Sequence, residues 1–559
     1  MPKMTGSRLF AEMMRGYGVS HIFFVPTFMH KGLAEMEDMP IRRIMLHGEK
    51  AAAYMADGYA RASGKPGVCM AQVVGATNLA AGLRDGYMAG SPIIALTGGP
   101  TPESRYRHSY QEVDDFTLFG PVTKFSARVD AVTRMPDLLR QAFRAATSGA
   151  PGPVYLQIQG HLGEMAEQEA DLDPLVEKQF TRIPAFRPEP EMERVRAAAA
   201  LLAKAERPII VAGGGVVRSG ARQEVVELAE KLRIPIVTSL NAKSTIIDTH
   251  PLAVGVSGSY SRDCANRALL EADLVFFIGS HTGGQVTHSW RFPPVGTPVI
   301  QLDIDPEELG RNYPNVASIL GDAKASLRRL IDAVQPKSPD AAKAWTGRVQ
   351  QIVADWRAEH EPLRASDAVP IRPERICRAI SEVLPPDGVL VSDTGHSGIW
   401  TGSMIDFTHP TQRYFRCAGS LGWGFPASLG VKCALPEKPV LCFNGDGGFY
   451  YHIGELESAK RHNINVVVVV NNNSGLNQEI NLTHAAYGGK THGRGEELWR
   501  FPPMNFARVA ESFGCIGIRV ERPGDLNDAL KSAFAMNKPV VVDVVTDTYA
   551  VAKKPWVPN

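Results

Sequence analysis

Gly445-Asp446-Gly447, the five valines Val466-Val467-Val468-Val469-Val470, and the tandem Asn472-Asn473 shortly after them form the stretch that decides the fold. An unbroken run of β-branched apolar residues reads as a strand buried on both faces. Pro439-Val440-Leu441-Cys442-Phe443, just before Gly445, reads the same way, and Glu455 to Arg461 between the two runs has helical character. Asp446 and Asn473, twenty-seven positions apart, therefore each follow a strand of a βαβ unit. That brings both to the carboxyl edge of a parallel sheet, where ligands bind. One carboxylate, one amide oxygen and a glycine-rich turn suit a hard cation holding a diphosphate.

Working outward, the 559 residues give room for about three or four domains. An apolar content of 44% and a charged content of 21% are those of an ordinary soluble enzyme. A net charge of +1 leaves no electrostatic footprint for nucleic acid or an anionic membrane. Met1 to Gly18 reads as an amphipathic helix and not as a signal peptide, and no apolar run is long enough for a membrane span. Seven cysteines without a close pair point to reduced core thiols in a cytoplasm, and away from disulfides or zinc.

The rhythm of the chain is βαβ in three blocks. Strands are expected at His21–Val25, Gly67–Ala71, Pro92–Leu96 and Pro153–Leu156 in the first, with a long helix over Glu49–Ala62. The second has Pro208–Ala212, Ile236-Val237, Leu274–Ile278 and Val299–Leu302, and the third Val389–Val391, the two opening runs and Pro539–Val545. Polar linkers are expected at Ile183–Pro190 and Lys337–Lys343. The fold class is α/β, three doubly wound parallel-sheet domains over 1–180, 190–335 and 365–559.

Gly-Asp-Gly followed at this distance by Asn-Asn resembles the thiamine-diphosphate enzymes, the group of acetolactate synthase, pyruvate oxidase and 2-oxo acid decarboxylases, and the resemblance covers all three blocks. It implies a pyrimidine-binding, a central Rossmann-like and a diphosphate-binding domain. Mg²⁺ would be held by Asp446, the Asn473 side chain and the Gly475 carbonyl, and the diphosphate by Gly447, Gly448 and Thr394-Gly395-His396. In His47-Gly48-Glu49 before Gly58-Tyr59-Ala60-Arg61, the resemblance sets Glu49 against N1′ of the aminopyrimidine. A carboxyl there favours the imino tautomer that takes the C2 proton. The usual histidine directly before this glutamate is displaced by Gly48. In Ala418-Gly419-Ser420-Leu421-Gly422-Trp423-Gly424-Phe425-Pro426, Leu421 would be the apolar wedge that bends the cofactor and Gly419 would offer its carbonyl to the 4′-amino group.

Departures from the family concern the substrate. Gln111, in Tyr110-Gln111-Glu112, is a candidate for the reacting centre; Lys124 is equally readable as a solvated lysine. The loop Pro26-Thr27-Phe28-Met29-His30 stands where acetolactate synthases carry small residues. Pro26 would touch the cofactor, Phe28 would narrow the pocket and His30 would face substrate. Gln72 begins a segment that replaces the usual Ser-Gly-Pro-Gly. FAD stays open: Gly213-Gly214-Gly215 and Asp303 match flavin positions, but His281 and Gln285 replace two arginines. The function expected is decarboxylation of a small 2-oxo acid with carboligation, on a homodimer or homotetramer with active sites shared between subunits. Alternatives are simple decarboxylation, or cleavage of an acyl-CoA or diketone. A nicotinamide oxidoreductase is disfavoured by the lack of a Gly-x-Gly-x-x-Gly turn, and a non-catalytic relative by the retained Glu49.

Overall fold

Each apolar run of the sequence is a strand with both faces covered. The computed structural model describes residues 2–558 and contains three parallel sheets of six strands. The first is built from His21–Phe24, Arg42–Met45, Gly67–Ala71, Ile93–Gly99, Phe125–Val129 and Val154–Gln159, lying across the sheet as second, first, third, fourth, sixth, fifth. The third sheet has the same order, with Val389–Ser392, Arg413–Arg416, Val440–Gly445, Val467–Asn472, Ile516–Val520 and Val540–Val545. The central sheet differs. Pro208–Ala212, Ile236–Thr238, Ala253–Val256, Leu274–Ile278, Val299–Asp303 and Asn315–Leu320 run third, second, first, fourth, fifth, sixth, the dinucleotide-fold order.

These orders fix where a site can form. In the first and third sheets the chain reverses its direction of travel between the first and third strands, and the crevice beyond their carboxyl ends is open to a ligand. Those crevices are rimmed by Pro26–His30 and Gln72–Gly75 in one domain, and by Asp393–His396 and Asp446–Gly448 in the other. The motifs singled out in the sequence thus occupy equivalent places in two similarly wound domains.

Helix Glu49–Ser63 starts after the extended Gly48 and stops at Gly64, whose φ of 69° favours glycine. It is alanine-rich and buried on nearly every face, as suits a helix between two layers. It crosses helix Gly424–Ala434 in backbone contact: a Cβ on Gly58 would stand 2.1 Å from the Ala427 carbonyl oxygen, and one on Gly430 1.9 Å from that of Met55. One hydrophobic core therefore runs through both domains, from Phe23 and Tyr54 to Phe425 and Val468.

The second expected linker is corrected. Pro339–Arg364 is a single helix capped by Ser338, and it buries Trp345, Val349, Ile352 and Trp356. Alanines and lysines hide its apolar spacing at its first turns, while Trp345 donates to the Pro208 carbonyl at 2.8 Å and anchors it to the central sheet. The first linker is irregular chain. Arg262, held within the central domain by Asp248 at 2.8 Å, ties that domain to the third through Asp406 at 2.7 Å. All seven cysteines are free and buried, and no described helix is long and apolar enough to cross a membrane.

Candidate active site

Strand Val440–Gly445 delivers Asp446 to the crevice of the third domain, and Val467–Asn472 delivers Asn473 beside it. Asp446 Oδ1 accepts from Gly447 N at 2.7 Å, and its Oδ2 accepts from Gly475 N at 3.1 Å. The same Gly475 N lies 3.1 Å from Asn473 Oδ1. The three candidate metal ligands are thus gathered around one peptide. Burial pushes the Asp446 carboxyl up to about 7 against the pull of backbone N–H groups, with no cationic side chain among its partners. A buried carboxylate served only by amides, next to an amide oxygen, is a donor set that fits a hard cation such as Mg²⁺. Side chains are kept out of the space: a Cβ on Gly447 would meet Leu476 Cδ2 at 2.4 Å, and one on Gly475 the Trp499 oxygen at 2.8 Å.

Across the crevice, Thr394-Gly395-His396 follows the first strand and opens helix His396–Met404. Gly395 has φ 61°, and a Cβ there would stand 2.7 Å from Gln478 Oε1, so its backbone faces the crevice bare. His396 Nδ1 pairs with Asn477 Oδ1 at 2.7 Å, and burial lowers its pKa.

The segment carrying Gly419 and Leu421 is held by two buried carboxylates that the sequence reading missed. Asp85 accepts from the backbone N–H groups of Ala418, Gly419 and Ser420 at 2.9, 3.1 and 3.0 Å, and from the guanidinium of Arg61 at 2.9 Å. Burial alone would raise the Asp85 carboxyl. Arg61 and the Ala418 and Ser420 amides outweigh that and hold it below the ordinary carboxylate range. Asp393 takes the other end, accepting from Gly422 N at 3.1 Å and Gly424 N at 2.8 Å, with burial pushing it up to about 6. Between them Leu421 is half-buried against the space above Gly448. In the sequence Asp85 stands beside Arg84 in helix Ala76–Ala89 with no local mark, since its amide partners lie more than three hundred positions on.

In the first domain Glu49 heads its helix. Asn78 Nδ2 donates to Glu49 Oε2 at 3.2 Å, and a Cβ on Gly75 would come 2.4 Å from Oε1. Gln72 and Gln111 are brought together, Nε2 of the first donating to Oε1 of the second at 3.0 Å. Pro26 is half-buried at the crevice rim. Phe28 requires a correction: it is only 1% exposed, packed in the core of the first domain with Met29 and Leu33, and its ring does not narrow the crevice. His30 is exposed at the start of helix His30–Ala34. Lys124 caps a helix end, donating to the carbonyls of Ala145, Ser148 and Ala150. His47 sits at the domain junction, 2.8 Å from Glu457.

Glu49 is tied to Asn78 and Gly419 to Asp85, positions separated by about 10 Å along helix Ala76–Ala89.

In the central domain, Gly214, Ser239, Ser257, Ser280 and Gln285 line a space of about 160 Å³, below the roughly 300–1,000 Å³ usual for ligand sites. Positive charge is present after all, from Arg218 and from Arg416 of the third domain. A second space adjoins it, sharing Arg218, Gly279 and His281 and lined also by Gly215, Asp303, Ile304 and Asp322.

Comparison with known proteins agrees with the geometry. Residues 4–118 match the N-terminal TPP-binding domain of thiamine pyrophosphate enzymes, 195–330 the central domain and 393–544 the C-terminal TPP-binding domain. A probable acetolactate synthase large subunit of Methanocaldococcus jannaschii is 32% identical over 557 residues, covering 97% of this chain and 92% of that one. The acetolactate synthase of Mycobacterium bovis is 30% identical over 98% of this chain and 88% of its own length. The acetolactate synthase isozyme 3 large subunit of Escherichia coli is 28% identical over 98% and 96%. With all three domain types in order and likeness running nearly end to end, the chain belongs to the thiamine pyrophosphate enzyme family.

Proposed function

We propose that this enzyme uses thiamine diphosphate and Mg²⁺ to decarboxylate a small 2-oxo acid and join the remaining fragment to a second oxo acid, as an acetolactate synthase does. The observation that carries the reading is the buried Asp446 carboxylate beside Asn473, served by amides alone, at the crevice of one domain, with Glu49 at the equivalent crevice of another. Bound thiamine diphosphate supplies a nucleophilic carbon and an electron sink for cleavage of a C–C bond next to a carbonyl.

The protein's part is positioning and proton traffic. Asp446, Asn473 and the Gly475 carbonyl would hold the metal. Gly447, Gly448 and the Thr394–His396 turn present backbone N–H groups to the diphosphate. The Gly419 carbonyl would orient the 4′-amino group, and the Leu421 side chain would pack against the bound cofactor. Glu49 exchanges a proton at N1′. Gln111, fixed by Gln72, is placed to donate a hydrogen bond to a substrate carbonyl or carboxylate.

Membership of the thiamine pyrophosphate enzyme family supports a site completed by a second copy, hence at least a homodimer. The comparison proteins support the carboligase. A different acceptor, or an acyl-CoA or diketone substrate, is favoured by one observation: Gln72, where acetolactate synthases carry small residues, fills its place with an amide bonded to Gln111.

The test is incubation of the holoenzyme with pyruvate alone. Acetolactate is the expected product. Acetaldehyde without acetolactate would replace carboligation by simple decarboxylation, and inertness to pyruvate would move the substrate to larger carbonyl compounds. The absorption spectrum of the same preparation tests for flavin.

A further inference from the structure

The loop of residues 100–115 leaves the carboxyl end of strand Ile93–Gly99 and carries Gln111 to Gln72 at the crevice rim. Tyr106, His108 and Gln111 stand in left-handed backbone, with φ of 66°, 57° and 61°, a conformation that non-glycine residues avoid unless their surroundings impose it. Glu112 imposes it here. Its carboxylate accepts from Tyr106 N, and from Ser109 N at 2.9 Å. Ser109 Oγ donates to the Ser104 carbonyl at 3.0 Å, and Arg105 N to that of Thr101 at 3.0 Å. The peptide between Arg105 and Tyr106 is thus fastened to the residue that follows Gln111.

Arg105 itself is half-buried. Its Nε and Nη2 are shut away from water without a hydrogen-bond partner, and no other described arginine has two such nitrogens. Nor does Arg105 form an ion pair among the described residues. Nε and Nη2 make up the side-on fork of a guanidinium. Elsewhere in the chain that same fork grips carboxylates: Arg134 holds Asp137 at 3.1 and 2.9 Å, Arg348 holds Glu271 at 2.9 and 2.6 Å, and Arg372 holds Glu374 at 3.2 and 2.9 Å. The neighbouring Arg107 is exposed and donates to the Glu103 carbonyl at 3.3 Å.

Two desolvated donors of a permanently charged group are unfavourable until an acceptor meets them, and the planar acceptor that fits both is a carboxylate. The proposed reaction offers two carboxylates. That of the donor acid departs as CO₂, and a tight ion pair with it would be strongest before the reaction and would oppose its departure. That of the acceptor acid persists from binding to product. We propose that Arg105 is a specificity residue that grips the carboxylate of the acceptor oxo acid side-on. Gln111, whose Oε1 is taken by Gln72, is left to offer its Nε2 to the acceptor's carbonyl oxygen. This inference rests on the reading of the enzyme as a carboligase of oxo acids.

The test compares the parent holoenzyme with Arg105→Gln, pyruvate serving as donor. Two acceptors are offered, pyruvate itself, which yields acetolactate, and added acetaldehyde, which has no carboxylate and yields acetoin. In Arg105→Gln the ratio of acetolactate to released acetaldehyde should fall by about tenfold or more, while ligation to added acetaldehyde keeps the parent's rate. Arg105→Lys, which keeps the charge without the fork, should recover only part of the loss. The proposal falls if Arg105→Gln keeps the parent's product ratio. It falls equally if ligation to acetaldehyde drops as far as ligation to pyruvate, which would mark a structural role. Failure of the carboligase reading shows itself separately, as a parent enzyme that makes no acetolactate. Lactate, a carboxylate without a reactive carbonyl, is then titrated calorimetrically into both holoenzymes. Binding lost in Arg105→Gln would uphold the carboxylate fork for a different acid; equal binding to both proteins, or none to the parent, would overturn it.

Discussion

Glu49 concentrates the chemistry in one carboxyl group, and its surroundings allow a clean substitution. Asn78 donates to it and Gly75 leaves room beneath it, so Glu49→Gln keeps the shape and an acceptor oxygen while removing the acid. Turnover should fall by about a hundredfold or more, with thiamine diphosphate still bound, as titration of the intrinsic fluorescence would report; undiminished turnover would refute the assigned role. Two other side chains govern the response to acid. His21 and His452 are buried as neutral rings, and burial, aided by Arg42 and Lys50 respectively, lowers each from 6.5 to about 4. Between those values the unfolded chain holds more protons than the folded one, so stability rises with pH across the window and is lost as pH falls from 6.5 to 4. Thermal unfolding should show this slope, and His21→Gln should flatten part of it. At this scale the sequence was least legible. Asp85 and Asp393 looked like an ordinary helix acid and a strand-end acid. The amides that Asp85 holds lie more than three hundred positions away in the chain, and no local pattern announces them. Phe28 was misread because its place in a loop says where the backbone runs and not which way the ring turns.

Among elements, legibility followed burial. The strands expected from apolar runs are the four inner ones of each sheet, while the outer pair in every sheet went unread: Arg42–Met45 and Phe125–Val129, Ala253–Val256 and Asn315–Leu320, Arg413–Arg416 and Ile516–Val520. An inner strand of a parallel sheet is covered on both faces and must be apolar throughout, whereas an edge strand has one neighbour and tolerates Arg42, Arg413 or Arg519. The crossing of helices Glu49–Ser63 and Gly424–Ala434 supplies the sharpest test at this scale. A side chain at Gly430 has no room beside the Met55 backbone, so Gly430→Val should cost about 3 kcal/mol or more, seen as a lowered Tm or loss of soluble protein. Normal stability would mean that the two helices are not in contact.

For the whole molecule, the decisive property is that the acid, Glu49, and the metal site, Asp446 and Asn473, belong to different domains. If a partner completes each site, mixing chains that carry Glu49→Gln with chains that carry Asp446→Asn lets hybrids form one intact site and one doubly damaged site. Random pairing should then restore about a quarter of the parent activity from two inactive proteins. No recovery after mixing and reassembly would confine each site to a single chain. Three sheets and their order of domains could be read in advance because apolar runs and glycine turns are local signals. Association has no such local signal, because the surfaces that would meet carry no periodic mark, and the expectation of a homodimer or homotetramer came from the family resemblance alone.

The burial of all seven cysteines has a practical consequence. A chain whose thiols are all hidden is silent toward thiol reagents until it opens, so it carries its own clock for local unfolding. One of these thiols, Cys417, lies against Asp85 and the Ser420 carbonyl, at the root of the segment that presents Gly419 and Leu421. Its modification rate should report how often that segment lifts away. Adding thiamine diphosphate with Mg²⁺ should slow Cys417 labelling, followed by peptide mass spectrometry, and leave Cys69 in the first sheet unchanged.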